Sequence, residues 1–476
     1  MFHFVPNLKP YTFHRGRGNR RFDAYLVSAD YLDEQDTLAR AVVREGRVLC
    51  ADNGNVDLIR DSLKTFESVA DELDSQRKVQ EAGLGRYARP GDLTGELTAE
   101  YQRLAREIRG TSRDATPRSY VRDAIRRQAS SRPGYLIGME DITVATMTGL
   151  GLEPEYTLLP ESFYRSVFER AVELAVDTQR GRYEPVDAQV FACLHALDYD
   201  TARLAGKVAG EAGVAGIATG LFGVMKDRNY VDYRVADGEL LPLPRAVPRP
   251  YPRVVEIAAG LHLGYAEAQG RRPPFHALGV GSPILLPLLA LFGDAETYTS
   301  TDSTAPIVDG WIAPTISLYV DEPAPFKYKA HRIAEYWLAE GDGWRCECPY
   351  CRGFNRSHPP SVDEARRWWK SEGQPRLDSG SMQRTSPLSP LLPMLSNPPD
   401  PNVRRQAGMA RVGHNHWVLK RIEQGLRDHS GTSRELRGWV ERQVAAYVAA
   451  SASPSWRGAL EAAWKIGAAA HDTLNS

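Results

Sequence analysis

The strongest constraint on the fold is an alternation of two kinds of segment along the first 300 or so residues. A short apolar run ends in a polar or glycine-rich corner, and a segment with helical periodicity follows. Strands that alternate with helices in this way favour a parallel sheet. About eight such units close into a (β/α)8 barrel of the TIM type. The strand-like runs are residues 24–30, 47–54, 134–141, 189–196, 215–220, 275–281 and 297–302. The helix-like stretches include 59–82, 161–179, 200–212, 252–268 and 283–292.

An open, doubly wound sheet is the alternative α/β architecture. No G-x-G-x-x-G fingerprint opens a first helix in this sequence, which disfavours that alternative. We therefore predict a catalytic barrel over residues 1–330. A zinc-binding subdomain is predicted over 331–430, with a Ser/Pro-rich loop at 378–402, and C-terminal helices form a tail at 431–476. The helices expected after that loop are 414–428, 432–450 and 455–471.

A cluster of three cysteines predicts a metal site. The segment W-R-C-E-C-P-Y-C places Cys346, Cys348 and Cys351 within six positions. Thiolate sulfur is soft and holds zinc tetrahedrally, so a structural site needs a fourth donor. His414 opens a helix-like stretch that would hold a ligand rigidly, and His416 is the nearest rival. The alternative is three reduced cysteines without a metal.

Composition is typical of a soluble globular protein. The chain has 476 residues, of which 42% are hydrophobic and 25% charged. No apolar run approaches the roughly 20 residues that cross a bilayer, and the N-terminus lacks the apolar stretch of a signal peptide. We therefore expect a cytoplasmic protein with no membrane partner. Cys50 and Cys193 lie in apolar runs and are expected to be buried thiols.

Basic residues concentrate in three segments, although the formal net charge is only −1. Residues 1–22 contain five Lys or Arg and no acid, residues 113–132 contain six Arg and two Asp, and residues 401–442 contain nine Lys or Arg and four acids. The segments could form one phosphate-binding surface or simply be solvated helix faces.

Three aspartates fall at the ends of strand-like runs. They are Asp52 in A-D-N-G, Asp141 in M-E-D-I-T and Asp302 in S-T-D-S-T-A-P. Catalytic groups gather at the carboxyl ends of barrel strands. Glycosidic chemistry needs two carboxylates across a sugar carbon, one as nucleophile and one to manage protons. A third could accept hydrogen bonds from a purine. The alternative is that each aspartate caps a helix or forms a turn.

Taken together, these segments resemble the tRNA-guanine transglycosylase family, zinc enzymes built on a (β/α)8 barrel. A-D-N-G is similar to the family's D-S-G-G-F-Q segment, which implies that Asp52 is the general acid/base. M-E-D-I-T sits where the family carries a base-reading aspartate, here Asp141. T-D-S-T-A-P follows A-L-G-V-G-S-P, which resembles G-V-G-T-P, and implies that Asp302 is the nucleophile.

The resemblance covers most of residues 45–425. G-I-A-T-G-L is similar to the family's G-G-L turn, which implies base contacts from the backbone amides of Gly220 and Leu221. C-x-C-x-x-C followed by H-N matches the family's zinc motif and selects His414, with the Zn²⁺ in a structural role.

Several positions depart from the family pattern. His195 stands where the family carries a base-binding glutamine, and Val56 and Leu278 would flank the base in place of an aromatic residue and a methionine. The Arg-rich segment after the nucleophile is missing, and the spacing between Cys351 and His414 is long. These departures are similar to those of the DNA-acting, DpdA-type branch of the family.

The function that the resemblance implies is base exchange in nucleic acid. A guanine of DNA would be replaced by a 7-deazaguanine, of the 7-cyano type, through a covalent glycosyl-enzyme on Asp302. Two alternatives stay open: a transglycosylase that acts on tRNA, and a non-catalytic, zinc-bearing subunit that binds nucleic acid. The expected partners are DNA or tRNA, the free 7-deazaguanine base and a helper protein of a DNA-modification system. The oligomeric state is left open.

Overall fold

Eight parallel strands form the centre of the molecule in the computed structural model. The structure describes residues 2–9, 22–226, 230–236, 239–294, 297–311, 315–318, 326–329, 348–357, 401–451 and 453–476. The strands in these ranges are β1 Phe2–Pro6, β2 Ala24–Ser28, β3 Val48–Asp52, β4 Tyr135–Ile137, β5 Gln189–Cys193, β6 Gly216–Gly220, β7 Tyr230–Ala236, β8 Glu239–Pro248, β9 Phe275–Leu278, β10 Thr299–Ser303, β11 Thr315–Leu318 and β12 Phe326–Lys329. The main sheet has the order β1-β10-β9-β6-β5-β4-β3-β2.

The two edges of this sheet approach each other and nearly close a barrel. Every neighbouring pair of strands is parallel. Just beyond β1, Asn7 forms a parallel bridge with Leu26 of β2, and the Leu8 amide donates to the Leu26 carbonyl at 2.7 Å. The predicted α/β barrel is therefore confirmed.

All seven strand-like runs are strands of the barrel. The eighth strand, β1, was not predicted, because the N-terminal segment was interpreted only for its charge and for targeting. Four of the five β1 side chains are buried. Two further strands, β7 and β8, form an antiparallel pair after β6 and were also missed.

Helices surround the barrel. They are α1 Leu32–Arg44, α2 Val56–Leu84, α3 Gly95–Ala115, α4 Arg118–Ser130, α5 Thr143–Gly149, α6 Pro154–Thr157, α7 Glu161–Gln179, α8 Tyr199–Glu211, α9 Phe222–Lys226, α10 Pro250–Gln269, α11 Leu285–Ala290, α12 Ala305–Trp311, α13 Pro349–Ser357, α14 Pro401–Asp428, α15 Ser433–Ala450 and α16 Pro454–Asn475. The predicted helices are present, but α14 begins at Pro401 rather than at residue 414. No helix in the described ranges is both long enough and apolar enough to span a bilayer.

The C-terminal helices share the apolar core of the barrel. Leu419 of α14, Val440 of α15 and Ile466 of α16 belong to the same cluster of buried side chains as Phe4 of β1 and Leu285 of α11. These helices are therefore packed onto the barrel. The predicted loop 378–402 lies outside the described residues, apart from its last two positions, which begin α14. The predicted domain boundaries stay predictions.

Alternate side chains of each strand fill the barrel interior, as the two-residue period of a strand requires. At one level, the rings of Tyr135 and Tyr298 stack with centroids 4.3 Å apart, and Phe191 packs edge-on against Tyr135. The Cys50 thiol lies 3.6 Å from the Tyr298 hydroxyl. Both this thiol and that of Cys193 are buried, as predicted. The lower interior is thus closed by aromatic rings, which leaves the polar side chains at the carboxyl ends of the strands.

Helices α8 and α10 approach each other closely because glycines lie at their contact. A methyl group at Gly264 would lie 1.9 Å from the carbonyl oxygen of Arg203, and one at Gly206 would lie 2.2 Å from that of Leu261. Backbone atoms cannot give way as a flexible side chain can. The contact therefore admits no larger residue at these two positions.

We predict that Gly264→Ala lowers the free energy of unfolding by about 3 kcal/mol or more, because overpacking forces the two helices apart. The matched control is Gly110→Ala in α3, where an added methyl group meets no atom within 4 Å. That change should stabilise by up to about 1 kcal/mol through helix propensity. Urea unfolding of both variants measures the difference, and equal stabilities would contradict the close packing.

Candidate functional site

Five of the predicted site residues lie at one mouth of the barrel. Asp52 ends β3, Gly220 ends β6 and Leu278 ends β9. His195 follows β5 by two residues, and Asp302 is the fourth residue of β10. Because all strands of the barrel are parallel, their carboxyl ends meet on one side. The fold therefore brings together side chains that are up to 250 positions apart.

Asp302 is held firmly at this mouth. Its side chain is buried, and its Oδ1 accepts a hydrogen bond of 3.0 Å from the backbone amide of Gly279. His276 of β9 places Nε2 3.4 Å from the same oxygen, while its Nδ1 lies 2.7 Å from the Ser300 hydroxyl. Asp302 thus has a fixed orientation, supported from below by a buried imidazole.

Asp52 lies in a different electrostatic environment. Burial raises the pKa of Asp52 to about 7, and the negative charges of Asp302 and Glu140 contribute. Hydrogen bonds with the backbone of Asn53 and Gly54 oppose the shift. The carboxyl group of Asp52 is therefore close to half-protonated at neutral pH, which suits a group that must both give and accept a proton.

The turn after Asp52 explains the glycine of A-D-N-G. Gly54 has φ +77°, and a methyl group there would lie 2.6 Å from a carboxylate oxygen of Asp30. The Asn53 side chain spans to β4 by donating to the Gly138 carbonyl at 2.8 Å, and it accepts from the Asn55 amide at 3.0 Å. These contacts fix the direction in which the backbone leaves β3.

Glu140 is a mouth residue that sequence reasoning missed. Its carboxylate forms an ion pair with Nε2 of His195 and accepts a hydrogen bond of 3.0 Å from the Cys193 thiol. Burial alone would raise the pKa of Glu140, but the charge of His195 lowers it below its usual value. Burial alone would lower the pKa of His195, but Glu140 raises it, helped by a hydrogen bond with the Gly220 backbone. Both shifts favour the charged forms, an imidazolium paired with a carboxylate.

Asp141, the predicted base-reading acid, faces the surrounding helices instead. Its Oδ1 accepts hydrogen bonds from the Ser112 hydroxyl at 2.8 Å and the Thr143 amide at 3.0 Å. Its Oδ2 forms an ion pair of 3.0 Å with Arg170. Both oxygens of Asp141 are thus occupied, and of the two adjacent acids Glu140 is the one that pairs with His195.

The backbone amides and the apolar flanking residues that were predicted to contact the base are only partly available. The Leu221 amide donates to the Leu278 carbonyl at 3.0 Å, and the Gly220 backbone forms a hydrogen bond with His195. Leu278 packs with Ile137, Phe191, Cys193 and Ala218 inside the barrel and provides an apolar wall. The other predicted flanking residue, Val56, lies at the first position of α2, and 59% of its side chain is exposed.

A second cluster, away from the mouth, could hold a metal ion. The ligand atoms of Cys348, Cys351 and His414 all lie within 4.8 Å of one another, and all three residues are buried. Nδ1 of His414 is 3.4 Å from each sulfur. Tetrahedral zinc bonds of about 2.3 Å to sulfur and 2.0 Å to nitrogen would separate these atoms by about 3.5 Å. The donor set and its spacing therefore fit such an ion.

The rival ligand His416 points away from this cluster. Its ring lies 6.4 Å from the ring of Phe4 and 5.9 Å from that of Phe22, against the barrel. Residues two apart on a helix lie on nearly opposite faces, so α14 cannot present both histidines to the cysteines. The fourth predicted ligand, Cys346, lies outside the described residues.

No protein-family model matches the chain, and no curated protein matches it. The fold and the two clusters nevertheless define its class. The protein is an α/β barrel with a buried acidic mouth and a separate Cys–Cys–His cluster that could hold a metal ion.

We predict that the purified protein carries about one zinc ion per chain, and that Cys348→Ser and Cys351→Ser abolish it. Cys346→Ser should have the same effect if Cys346 is the fourth ligand. Cys50→Ser is the matched control, because that thiol is buried in the barrel interior beside the Tyr298 hydroxyl. Metal analysis by mass spectrometry measures the stoichiometry, and full zinc content in the Cys348 variant would exclude this cluster.

We predict that Asp52→Asn stabilises the protein more at pH 8 than at pH 4. A carboxyl group whose pKa rises from 3.8 to about 7 on folding contributes stability below pH 4, which is lost as the pH rises through 7. The asparagine removes that loss, on the order of 4 kcal/mol at pH 8 relative to pH 4. Chemical unfolding at both pH values measures it. The exposed Asp71 on α2 provides a control, and the same gain from Asp71→Asn would contradict the assignment.

Proposed function

We propose that the protein is a base-exchange transglycosylase, which replaces a guanine of DNA with a free 7-deazaguanine base of the 7-cyano type. The observation that carries this proposal is the pair formed by Asp52 and Asp302 at one barrel mouth. Both are carboxylates, but their surroundings differ. Asp302 accepts a hydrogen bond from the Gly279 amide and lies beside the His276 imidazole, whereas Asp52 has a pKa near neutrality. This difference between the two carboxylates supports Asp302 as the nucleophile and Asp52 as the proton carrier.

Asp302 is the nucleophile in this mechanism. A base inside a duplex is inaccessible, so the target nucleotide turns out of the stack and enters the mouth. An oxygen of Asp302 attacks C1′, the bond from C1′ to N9 breaks, and the leaving guanine takes a proton from Asp52. The Gly279 amide and His276 direct the carboxylate of Asp302 toward the sugar.

The second half of the reaction reverses these roles. The 7-deazaguanine occupies the vacated site, and the ionised Asp52 accepts its N9 proton. N9 then attacks C1′, and the bond between C1′ and Asp302 breaks. Two displacements at the same carbon retain its configuration, and no nucleotide hydrolysis is required. Atoms and charges balance over the cycle.

Glu140, which is held by its ion pair with His195, is the group that the mechanism assigns to the purine edge. Glu140 can accept from the N–H groups of a guanine, whereas His195 is engaged by Glu140 and by the Gly220 backbone. Leu278 offers an apolar surface beside them. In this proposal Glu140 takes the role that the resemblance implied for Asp141, and His195 positions the Glu140 carboxylate.

DNA is favoured over tRNA by the sequence departures, in particular the missing Arg-rich segment after Asp302. The Cys–Cys–His cluster has no part in these steps. A zinc ion there would supply structural cross-linking only, joining α13 to α14. A non-catalytic role is disfavoured because both Asp52 and Asp302 are present and close enough for the charge of one to raise the pKa of the other.

We predict that Asp302→Asn lowers the rate of labelled-base exchange by at least about 1,000-fold and abolishes a denaturation-resistant adduct with nucleic acid. Asp52→Asn should also lose exchange, because no group remains to transfer the proton. Asp71→Asn is the control and should exchange at the wild-type rate.

The assay offers duplex DNA, single-stranded DNA and tRNA in parallel, each with labelled guanine or labelled 7-cyano-7-deazaguanine. Incorporation into tRNA alone would replace the DNA assignment by the tRNA alternative. Exchange at the wild-type rate in the Asp302 variant would remove Asp302 from the mechanism. Binding without exchange on any substrate would favour the non-catalytic subunit.

A further inference from the structure

Three arginines gather beside the mouth, on the helices that surround Asp141. Arg109 and Arg113 lie on α3, and Arg170 lies on α7; we call these three residues the rim cluster. Arg170 connects the two helices. Its Nη1 pairs with Asp141, and its Nη2 donates to the Arg113 carbonyl at 3.3 Å and to the Thr116 hydroxyl at 2.7 Å. The next residue toward the mouth from Asp141 is Glu140, which pairs with His195. Asp141 lies four residues beyond the carboxyl end of β4, so the rim cluster lies at the same end of the barrel as the candidate active site.

The rim cluster carries more positive charge than its surroundings neutralise. Asp141 is its only ion-pair partner among the described residues, and that carboxylate is buried and shared with Ser112 and Thr143. Arg109 packs over the ring of Phe163 at 5.0 Å, and its Nε is buried without a hydrogen-bond partner in the same described region. Burial and then the charge of Arg113 lower the pKa of Arg109, and Arg170 adds to this effect. Positive charges that are held this close together favour the binding of an anion.

Of the neighbouring basic residues, Arg103, Arg126 and Arg127 pair with carboxylates, whereas Arg118, Arg122 and Arg132 form no ion pair with any described residue. The rim cluster differs from these because its members lie close enough together for the charges of Arg113 and Arg170 to lower the pKa of Arg109. Arg103, also on α3, pairs with Glu100 at 2.6 Å and Glu107 at 2.8 Å. On α4, Arg126 lies 3.6 Å from Asp123, and Arg127 lies 3.9 Å from Asp30. The basic segment 113–132 is thus not one uniform surface. Arg113, at its start, is exposed and forms no ion pair with any described residue.

We propose that the rim cluster binds backbone phosphate of the DNA strand whose base enters the mouth. The inference rests on the proposed function and adds the surface that holds the substrate. Guanidinium groups bind phosphate oxygens through paired N–H donors, and such contacts position a strand without reading its sequence. Arg113 is exposed and Arg109 half-buried, while Arg170, with 22% of its side chain exposed, holds the two helices together.

The test is binding of a fluorescein-labelled, 15-nucleotide single-stranded DNA, followed by anisotropy at several salt concentrations. The variants are Arg113→Gln, the double variant Arg109→Gln/Arg113→Gln and the control Arg103→Gln from the same helix. We expect the double variant to bind about tenfold more weakly at low salt, with the slope of log Kd against log salt reduced by about one. Arg113→Gln should show an intermediate loss, and Arg103→Gln should bind as the wild type does.

The proposal is overturned if the double variant binds with wild-type affinity and slope, if Arg103→Gln weakens binding equally, or if the wild type does not bind the oligonucleotide at low salt. Thermal unfolding of each variant verifies the fold. If the double variant is unfolded, the binding of the oligonucleotide by Arg113→Gln, at an exposed position, tests the proposal. Binding is measured without a free base, so its outcome is separate from base exchange. Loss of binding in the variants of a protein without exchange activity would support the rim cluster while rejecting the proposed chemistry.

Discussion

Closure of the sheet by β1 is the constraint on which the candidate active site depends. Without that strand, β2 and β10 would be the two edges of an open sheet. Asp302 on β10 and Asp52 on β3 would then lie toward opposite edges. Strand β1 pairs with β10 along its whole length and reaches β2 through Asn7 and Leu8. Five residues at the N-terminus therefore decide that two distant carboxylates share one mouth.

Helix α14 connects this closure with the Cys–Cys–His cluster. One face of the helix presents His414 to Cys348 and Cys351, and another packs His416 against Phe4 of β1. Further along α14, Glu423 lies 3.4 Å from the His3 imidazole. A metal ion that fastens α13 to α14 would thus also steady the helix that supports the closing strand. This gives the cluster a structural purpose at a distance from the mouth.

The charge balance at the mouth separates the roles of its acids. Asp52, Glu140 and Asp302 lie near one another, and the imidazolium of His195 pairs with Glu140 alone. Asp302 is stabilised by a backbone amide instead. The remaining carboxyl group, Asp52, can relieve the repulsion most easily by holding a proton, and its raised pKa expresses this. The functional asymmetry of two chemically identical side chains thus follows from their neighbours.

The sequence pattern and the tertiary structure determine different features of this protein. The alternation of apolar runs and helical segments predicted the barrel and seven of its strands. Periodicity is a local property of the sequence, so it can be recognised without knowing the tertiary contacts. Position at a strand end likewise predicted that Asp52 and Asp302 would meet, since parallel strands share one carboxyl edge, whereas His195 was implied only by the family resemblance. The spacing of Cys348 and Cys351 indicated a metal cluster.

Other features were decided by contacts that no local pattern encodes. The adjacent acids Glu140 and Asp141 point in opposite directions, and only the positions of His195 and Arg170 reveal which one faces the mouth. The choice of His414 over His416 depends on how α14 is rotated against β1. Strand β1 has too short an apolar run to be distinguished from a disordered basic terminus by composition. Its pairing exists because β2 and β10 offer it two edges, and such edges arise only when the rest of the chain has folded.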